Sequence, residues 1–150
     1  MNNTDTPGQA SLVDWADEMR ENYSAVVDVV GAPAEQADRD PLSVLPYLQT
    51  YIAELPLEEF ETDDWVTLHT DLVSYLATVM LTRRGAVWEV GEDPTTPRGY
   101  RYRLRATTPD GVVHRVDPFL VVAEEFRKRP IEVARMLAAT ELSLGAVEQP

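Results

Sequence analysis

The sequence predicts an α+β fold in which a three-stranded antiparallel meander packs on a long central helix, with flanking N- and C-terminal helices. Apolar residues recur at helical spacing up to residue 84 and after residue 117, but they alternate with polar residues between 86 and 116. The segment Pro109-Asp110-Gly111 separates two alternating runs and predicts a hairpin, because proline presets φ and glycine supplies a positive φ. The predicted order is α-α-α-β-β-β-α-α.

Three helices are predicted before the sheet. The first begins at Ser11 and ends at Gly31, and we interpret the polar segment 34–40 (AEQADRD) as a linker to the second. That second helix begins between Asp40 and Ser43 and ends near Pro56. The third, over 64–84, has acidic residues at its start and arginines at its end, which matches the helix dipole.

Two further helices are predicted after the three strands. Asp117-Pro118 begins the fourth helix, with Asp117 as its N-cap, and Arg129-Pro130 ends it. The fifth helix then follows, and its spacing places these residues inward: Ile131, Ala134, Leu137, Ala138 and Leu142. We expect residues 1–10 to be a disordered lead-in, 11–145 to form a single domain and 146–150 to be a frayed tail.

Composition restricts the function classes. The 150 residues carry a net charge of −13, which opposes direct binding to nucleic acid or to an anionic membrane. The absence of cysteine excludes disulfides and thiolate chemistry. No apolar run approaches the ~18 residues of a membrane span, and the N-terminus lacks the basic-then-apolar pattern of a secretory signal. We therefore expect a cytoplasmic protein.

Catalytic signatures are missing from the sequence. There is no phosphate-binding glycine loop, no zinc-protease motif and no nucleophile elbow, and only two histidines occur, His69 and His114. We predict no cofactor, no metal and no catalytic residue. His114 and Asp117 form a possible polar site, but the competing interpretation is that Asp117 caps a helix and His114 lies on the inner sheet face.

Charge is divided unequally along the chain. Residues 1–82 contain sixteen acidic and two basic residues, a net of −14, whereas residues 83–150 contain ten acidic and eleven basic residues, a net of +1. In the segment YRYRLRAT, strand alternation places Arg101, Arg103 and Arg105 on one face and Tyr100, Tyr102 and Leu104 on the other. If Trp88 and Val116 point into the core, Arg115 and Glu89 join the arginines.

These guanidinium groups need an anionic partner, and two sources remain open. An acidic helix from residues 11–61 can fold across the sheet and supply carboxylates. Alternatively, an external phosphate, nucleotide or acidic protein surface can bind the guanidinium forks.

Four segments between Trp65 and Leu142 carry a resemblance: YLATVMLTRRGAVWEV, RGYRYRL, HRVDPF and RPIEVARMLAATEL. They resemble an uncharacterised family of small actinobacterial proteins, a domain of unknown function. The resemblance implies an α+β fold and a bacterial cytoplasmic setting, and it supplies no catalytic residue. Trp88, Arg98 and Asp117 are therefore singled out only by the residue pattern.

We expect a non-catalytic protein-binding module, such as an adaptor, a regulator or an immunity-type protein, with an unidentified protein partner. A homodimer is compatible with the pattern. The first alternative is a small anion- or nucleotide-binding domain, or an enzyme, that uses Arg101, Arg103, Arg105 and Arg115. The second is an acidic mimic of nucleic acid, formed by the acidic face of the first helix.

Overall fold

Helices, strands and helices follow one another in the predicted order in the computed structural model, which describes residues 11–145. Within this range there are six α-helices and one three-stranded antiparallel sheet, so the predicted α+β class is confirmed. The bounds are α1 Leu12–Val30, α2 Ala34–Arg39, α3 Leu45–Ala53, α4 Thr62–Arg83, β1 Val87–Glu92, β2 Tyr100–Thr107, β3 Val113–Val116, α5 Pro118–Phe126 and α6 Val133–Ser143. The predictions for 1–10 and 146–150 lie outside the described residues.

The segment predicted to be a linker is a short helix, α2, so that prediction is wrong. Pro33 precedes the helix with extended backbone, and Ala37 is buried where the Tyr23 hydroxyl donates to its carbonyl oxygen at 2.8 Å. This tertiary contact stabilises a turn that the polar sequence does not reveal.

The next helix begins as a 3-10 turn at Pro41, and the Asp40 carboxylate caps it by accepting a hydrogen bond from the Leu42 amide at 3.1 Å.

The long helix α4 forms the centre of the core, as predicted. Its start is fixed by a capping box in which Glu61 and Asp64 exchange side-chain and backbone hydrogen bonds. Its apolar side chains join one buried cluster with those of α1, α3, α5, α6 and the inner sheet face. Tyr75 is fully buried and donates its hydroxyl hydrogen to the Pro41 carbonyl oxygen at 3.0 Å, so the buried polar group is satisfied.

The sheet has two chemically different faces. Trp88 on β1 lies opposite Leu104 on β2, which lies opposite Val116 on β3, and all three are buried. Trp15 of α1 stacks on Tyr102 with ring centroids 4.6 Å apart and meets Trp88 edge-on at 5.4 Å. Helix α1 therefore covers the inner face, and the residues between these positions point to the outer face.

The inward face of α6 differs in part from the predicted one: Ile131 and Leu137 are buried as predicted, but three other residues are not. The buried residues of the helix are Val133, Met136, Leu137 and Thr140, whereas Ala134 and Ala138 are exposed and Leu142 is 50% exposed. The buried Thr140 hydroxyl donates to the Met136 carbonyl oxygen at 2.8 Å, which satisfies its polar group within the helix. Thr140 therefore belongs to the buried face of α6 although it is polar. The buried face is rotated about the helix axis relative to the predicted one.

The corrected face of α6 gives a matched pair of substitutions. Met136→Ala should lower the free energy of unfolding by about 2–5 kcal/mol, because its 1% exposed side chain would leave a cavity. Leu142→Ala should change it by less than about 0.5 kcal/mol, because that side chain lies half in solvent. Urea denaturation of both variants measures the difference, and equal losses would contradict the observed face.

Candidate functional site

The outer face of the sheet carries the arginines that the sequence predicts. We call it the arginine face, and its members are Val87, Glu89, Gly91, Arg101, Arg103, Arg105, Thr107, Val113 and Arg115. Burial along β2 alternates, with Tyr102, Leu104 and Ala106 inward and the arginines outward. The predicted common face of Arg101, Arg103 and Arg105 is therefore confirmed, and Arg115 joins it opposite Arg105.

One carboxylate lies at the centre of this face. Glu89 Oε1 accepts hydrogen bonds from Arg103 Nε at 2.7 Å and from Arg115 Nε at 2.6 Å. Its second oxygen, Oε2, lies 3.8 Å from Arg105 Nη1. Glu89 is on the middle of β1, and cross-strand pairing brings Arg103 directly opposite it. The register of two strand pairs therefore gathers three guanidinium groups around one acidic group.

The backbone beneath Arg103 contributes to this arrangement. A Cβ atom built on Gly91 would lie 2.9 Å from the Arg103 Cζ atom, so the guanidinium group rests on the glycine. Gly91 is buried by this contact despite being on the outer face. An isolated glycine inside an alternating strand is the sequence signal for such a close approach, and we did not predict this contact.

The charge of Glu89 is stabilised by its arginines. Burial raises the pKa of the Glu89 carboxyl, but hydrogen bonds from Arg103 and Arg115 outweigh that effect, so the pKa lies below its usual 4.5. The Glu89 side chain is 16% exposed, whereas those of Arg105 and Arg115 are 45% and 46% exposed. The acidic group is thus largely enclosed while the basic groups still reach solvent.

Arg101 has separate partners at one end of the arginine face. Its Nη1 lies 2.9 Å from Asp117 Oδ2, and its Nε lies 3.7 Å from Asp93 Oδ2. Asp117 also accepts a hydrogen bond from the Phe119 amide at 2.8 Å, so it caps α5 as predicted. Asp117 therefore links the sheet to the start of α5.

The predicted polar pair of His114 and Asp117 is not assembled. Within residues 11–145, no hydrogen bond or ion pair joins these two side chains. His114 is half-buried on the inner side of β3, opposite Ala106, and its ring lies close to the backbone of Gly145. Asp117 instead contacts Arg101 from the outer side, so the two groups serve different parts of the fold.

The carboxylates that meet the arginines do not come from the acidic N-terminal helices. Those within salt-bridge distance of Arg101, Arg103, Arg105 and Arg115 are Glu89, Asp93 and Asp117. The expectation that an acidic helix from 11–61 supplies them is therefore wrong. The physical reason is that α1 uses Trp15 to pack on the inner sheet face, where it buries aromatic surface.

The arginine face keeps an excess of positive charge. Arg103, Arg105 and Arg115 share the single negative charge of Glu89, which leaves a surplus of two positive charges around that residue. Arg101 contacts two carboxylates, so the four arginines of the face exceed their three carboxylate partners by one charge. Val87 and Val113 lie on the same face and are each 43% exposed. Apolar area and guanidinium groups therefore alternate on an open surface.

Comparison with known proteins does not assign a function, so the proposal below rests on the α+β fold and the arginine face. No family model, curated protein or solved structure matches the chain. None of the helices between residues 11 and 145 has the length and apolar character required to cross a membrane. In the same part of the chain, no three His, Asp or Glu residues are arranged to hold a metal ion.

Replacing Glu89 tests whether it organises the arginines. Because its folded-state pKa lies below 4.5, its contribution to stability is present above about pH 4.5 and is lost as the pH falls through the folded pKa. Glu89→Gln should therefore lower the free energy of unfolding by about 1–2 kcal/mol near neutral pH. The difference from the wild type should shrink below pH 4.5. Urea denaturation over a pH series measures both quantities.

Glu92→Gln is the matched control for this experiment. Glu92 is an exposed carboxylate on the same strand and makes no ion pair with the described residues. Glu92→Gln should change the free energy of unfolding by less than about 0.5 kcal/mol relative to the wild type. An equal effect of the two variants, or a Glu89→Gln difference that does not depend on pH, would contradict the central role of Glu89.

The two contacts of Asp117, with the Phe119 amide and with Arg101, can be tested separately by two substitutions. Asp117→Asn keeps a side-chain acceptor for the Phe119 amide and loses only the charge that meets Arg101, whereas Asp117→Ala loses both. We expect the alanine variant to lose about 1–2 kcal/mol of unfolding free energy and the asparagine variant less than about 1 kcal/mol. Thermal denaturation compares them, and identical midpoints would argue against capping.

Proposed function

We propose that this chain is a non-catalytic protein-binding module whose arginine face binds an acidic surface of a partner protein. The observation that carries the proposal is the sharing of Glu89 by Arg103, Arg105 and Arg115, which leaves positive charge unneutralised on an open sheet. A cytoplasmic location belongs to the same proposal.

The composition of the arginine face supports protein recognition. Arginine is enriched in protein interfaces, because its planar fork binds a carboxylate through two hydrogen bonds and its stem packs on apolar groups. Here the exposed Val87 and Val113 supply apolar area next to the guanidinium groups. Glu89 and Gly91 hold Arg103 in place before a partner arrives, which lowers the entropy cost of binding.

The extent of the face favours a macromolecule over a small anion. Strands are about 4.8 Å apart and rise about 3.4 Å per residue, so Arg101 and Arg105 on β2 are separated by roughly 14 Å along the strand. Arg115 lies on the neighbouring strand. A single phosphate group cannot contact guanidinium groups over that length, whereas a protein surface with several carboxylates can.

The net charge of the whole chain shapes how such a partner binds. At −13 the chain repels an acidic partner at long range, but charges separated by more than about 8 Å are screened at physiological salt. Attraction by the arginine face therefore acts at contact distance and orients the partner toward this side of the sheet. Very high salt should weaken the complex, because screening then reaches the contacting pairs.

A charge-reversal pair tests the proposal. Arg105→Glu reverses the charge of an exposed side chain that lies farther from Glu89, at 3.8 Å, than Arg103 and Arg115 do. Partners captured from the source cells by the tagged wild type should bind this variant at least about tenfold more weakly in calorimetry. Arg20→Glu, with the same charge change on α1, should bind as the wild type does.

Thermal unfolding separates this function from the small-anion alternative. Saturating phosphate or a nucleotide should leave the midpoint unchanged if the arginine face recognises a protein. A rise of several degrees, abolished by Arg105→Glu, would instead favour a small-anion site. Equal binding of both charge-reversal variants to the captured partner would count against the arginine face as the interface.

A further inference from the structure

We infer that the partner presents an acidic segment with one bulky apolar side chain, and that this side chain enters a groove between α5 and α6 beside the arginine face. The inference rests on the proposed function and specifies the chemistry of the partner. It is carried by a largely apolar groove that shares Arg115 with the sheet and is also lined by Lys128, which forms no ion pair with the described residues.

The groove has the size and lining of a side-chain pocket. Its volume is about 420 Å³, with the buried Val116 and Met136 beneath it and the half-buried Val121 contributing exposed apolar surface. Leu120 also lines it and is 58% exposed, so a large aliphatic side chain lies in solvent beside partly covered ones. Covering this leucine with an apolar side chain would remove surface from water on both partners.

Arg115 makes the groove continuous with the arginine face. Its Nε donates to Glu89 on the outer sheet face, and the same residue lines the groove. Asp117, which contacts Arg101 and caps α5, lies two residues after Arg115 and also lines the groove. A chain that contacts the arginines can therefore pass directly onto the α5–α6 groove.

The far end of the groove offers a second positive charge. Lys128 lines it, is exposed, and forms no ion pair with the described residues. Arg135 also lines the groove, but Glu125 and Glu132 already neutralise it at 2.5 and 3.1 Å. The two ends of the groove thus carry Arg115, which shares Glu89 with the other arginines and is 46% exposed, and Lys128, with Leu120 and Val121 between them.

Glu124 limits what can lie in the middle of the groove. It lines the groove, its side chain is 62% exposed, and its nearest basic partner is Arg127 at 3.9 Å. A carboxylate placed beside it would be repelled, whereas an apolar side chain would not. The matching segment therefore has acidic residues on both sides of an apolar one.

A second copy of this chain is a poorer occupant. Its acidic residues are concentrated in 1–82, and α1 packs against the inner face of the sheet, on the side opposite the arginines. Docking α1 of one copy on the arginine face of another would leave a free arginine face at the end, so association would continue without closing. The net charge of −13 on every copy opposes such growth.

Labelled peptides test the inference without knowledge of the natural partner. The probes are a twelve-residue peptide of Glu, Ser and Gly, and four versions that place a single Phe at successive positions between the glutamates. Fluorescence anisotropy at low salt measures their affinity for the full chain. At least one Phe peptide should bind about tenfold tighter than the acid-only peptide, because its ring is removed from water in the groove.

Two leucine variants assign this gain to the groove. Leu120→Ser should reduce the Phe-dependent gain to less than about threefold, whereas Leu142→Ser, at an equally exposed leucine outside the groove, should preserve it. Arg105→Glu should weaken all five peptides together, because it acts on the shared acidic contacts.

The possible failures are distinguishable. If all five peptides bind equally and Arg105→Glu weakens them, the groove inference is overturned and the proposed function stands. If none binds the wild type, both are overturned. If sedimentation shows a concentration-dependent assembly that Arg105→Glu dissolves, the occupant is a second copy and the inference of a separate partner is overturned.

Discussion

The single carboxylate of Glu89 determines how the outer face of the sheet is organised. Three guanidinium groups within a few ångströms repel one another, and their mutual position is stable only because an acid lies between them. The inner face cannot accept these groups, since Trp15, Trp88 and Tyr102 fill it with aromatic surface. Alternation therefore sends every arginine of β2 outward, and Glu89 orients Arg103, Arg105 and Arg115, whereas Asp93 and Asp117 hold Arg101. The result is a positive surface held in place before any partner binds.

Stability alone does not account for this concentration of arginine. Ion pairs between half-exposed side chains contribute little to folding, and neutral polar residues keep a sheet face equally compatible with water. The surplus of two positive charges around Glu89 even adds repulsion to the folded state. This repulsion, together with the accessibility of the guanidinium groups, is why we propose that the face is a recognition surface. The same comparison explains why Glu125, which is 3% exposed and fully paired with Arg135, is structural.

Local patterns in the sequence predicted the local features of the fold. Features that depend on contacts between distant segments were missed. Strand alternation placed Arg101, Arg103 and Arg105 on one face, and the residue before Pro118 identified the cap at Asp117. Alternation also predicted that Glu89 joins the arginines. Its role as their shared carboxylate was missed, because the cross-strand register that brings it opposite Arg103 has no signature within either strand. The helix at 34–39 and the inward position of Thr140 depend on partners distant in sequence or on hydrogen bonds within a helix turn. The groove between α5 and α6 depends on how two helices pack, which periodicity does not specify.

Asp117 explains why the sheet and the groove can act as one surface. Its carboxylate contacts Arg101 at one end of the arginine face and caps the first turn of α5, so the strand and the helix are joined through a single side chain. The same helix carries Leu120 and Val121, which line the groove together with Arg115. Under the proposed function, a partner that contacts both the sheet and the groove would require no rearrangement of one element against the other. The binding energies of the two regions would then be combined in one contact, because the fold already sets their relative position.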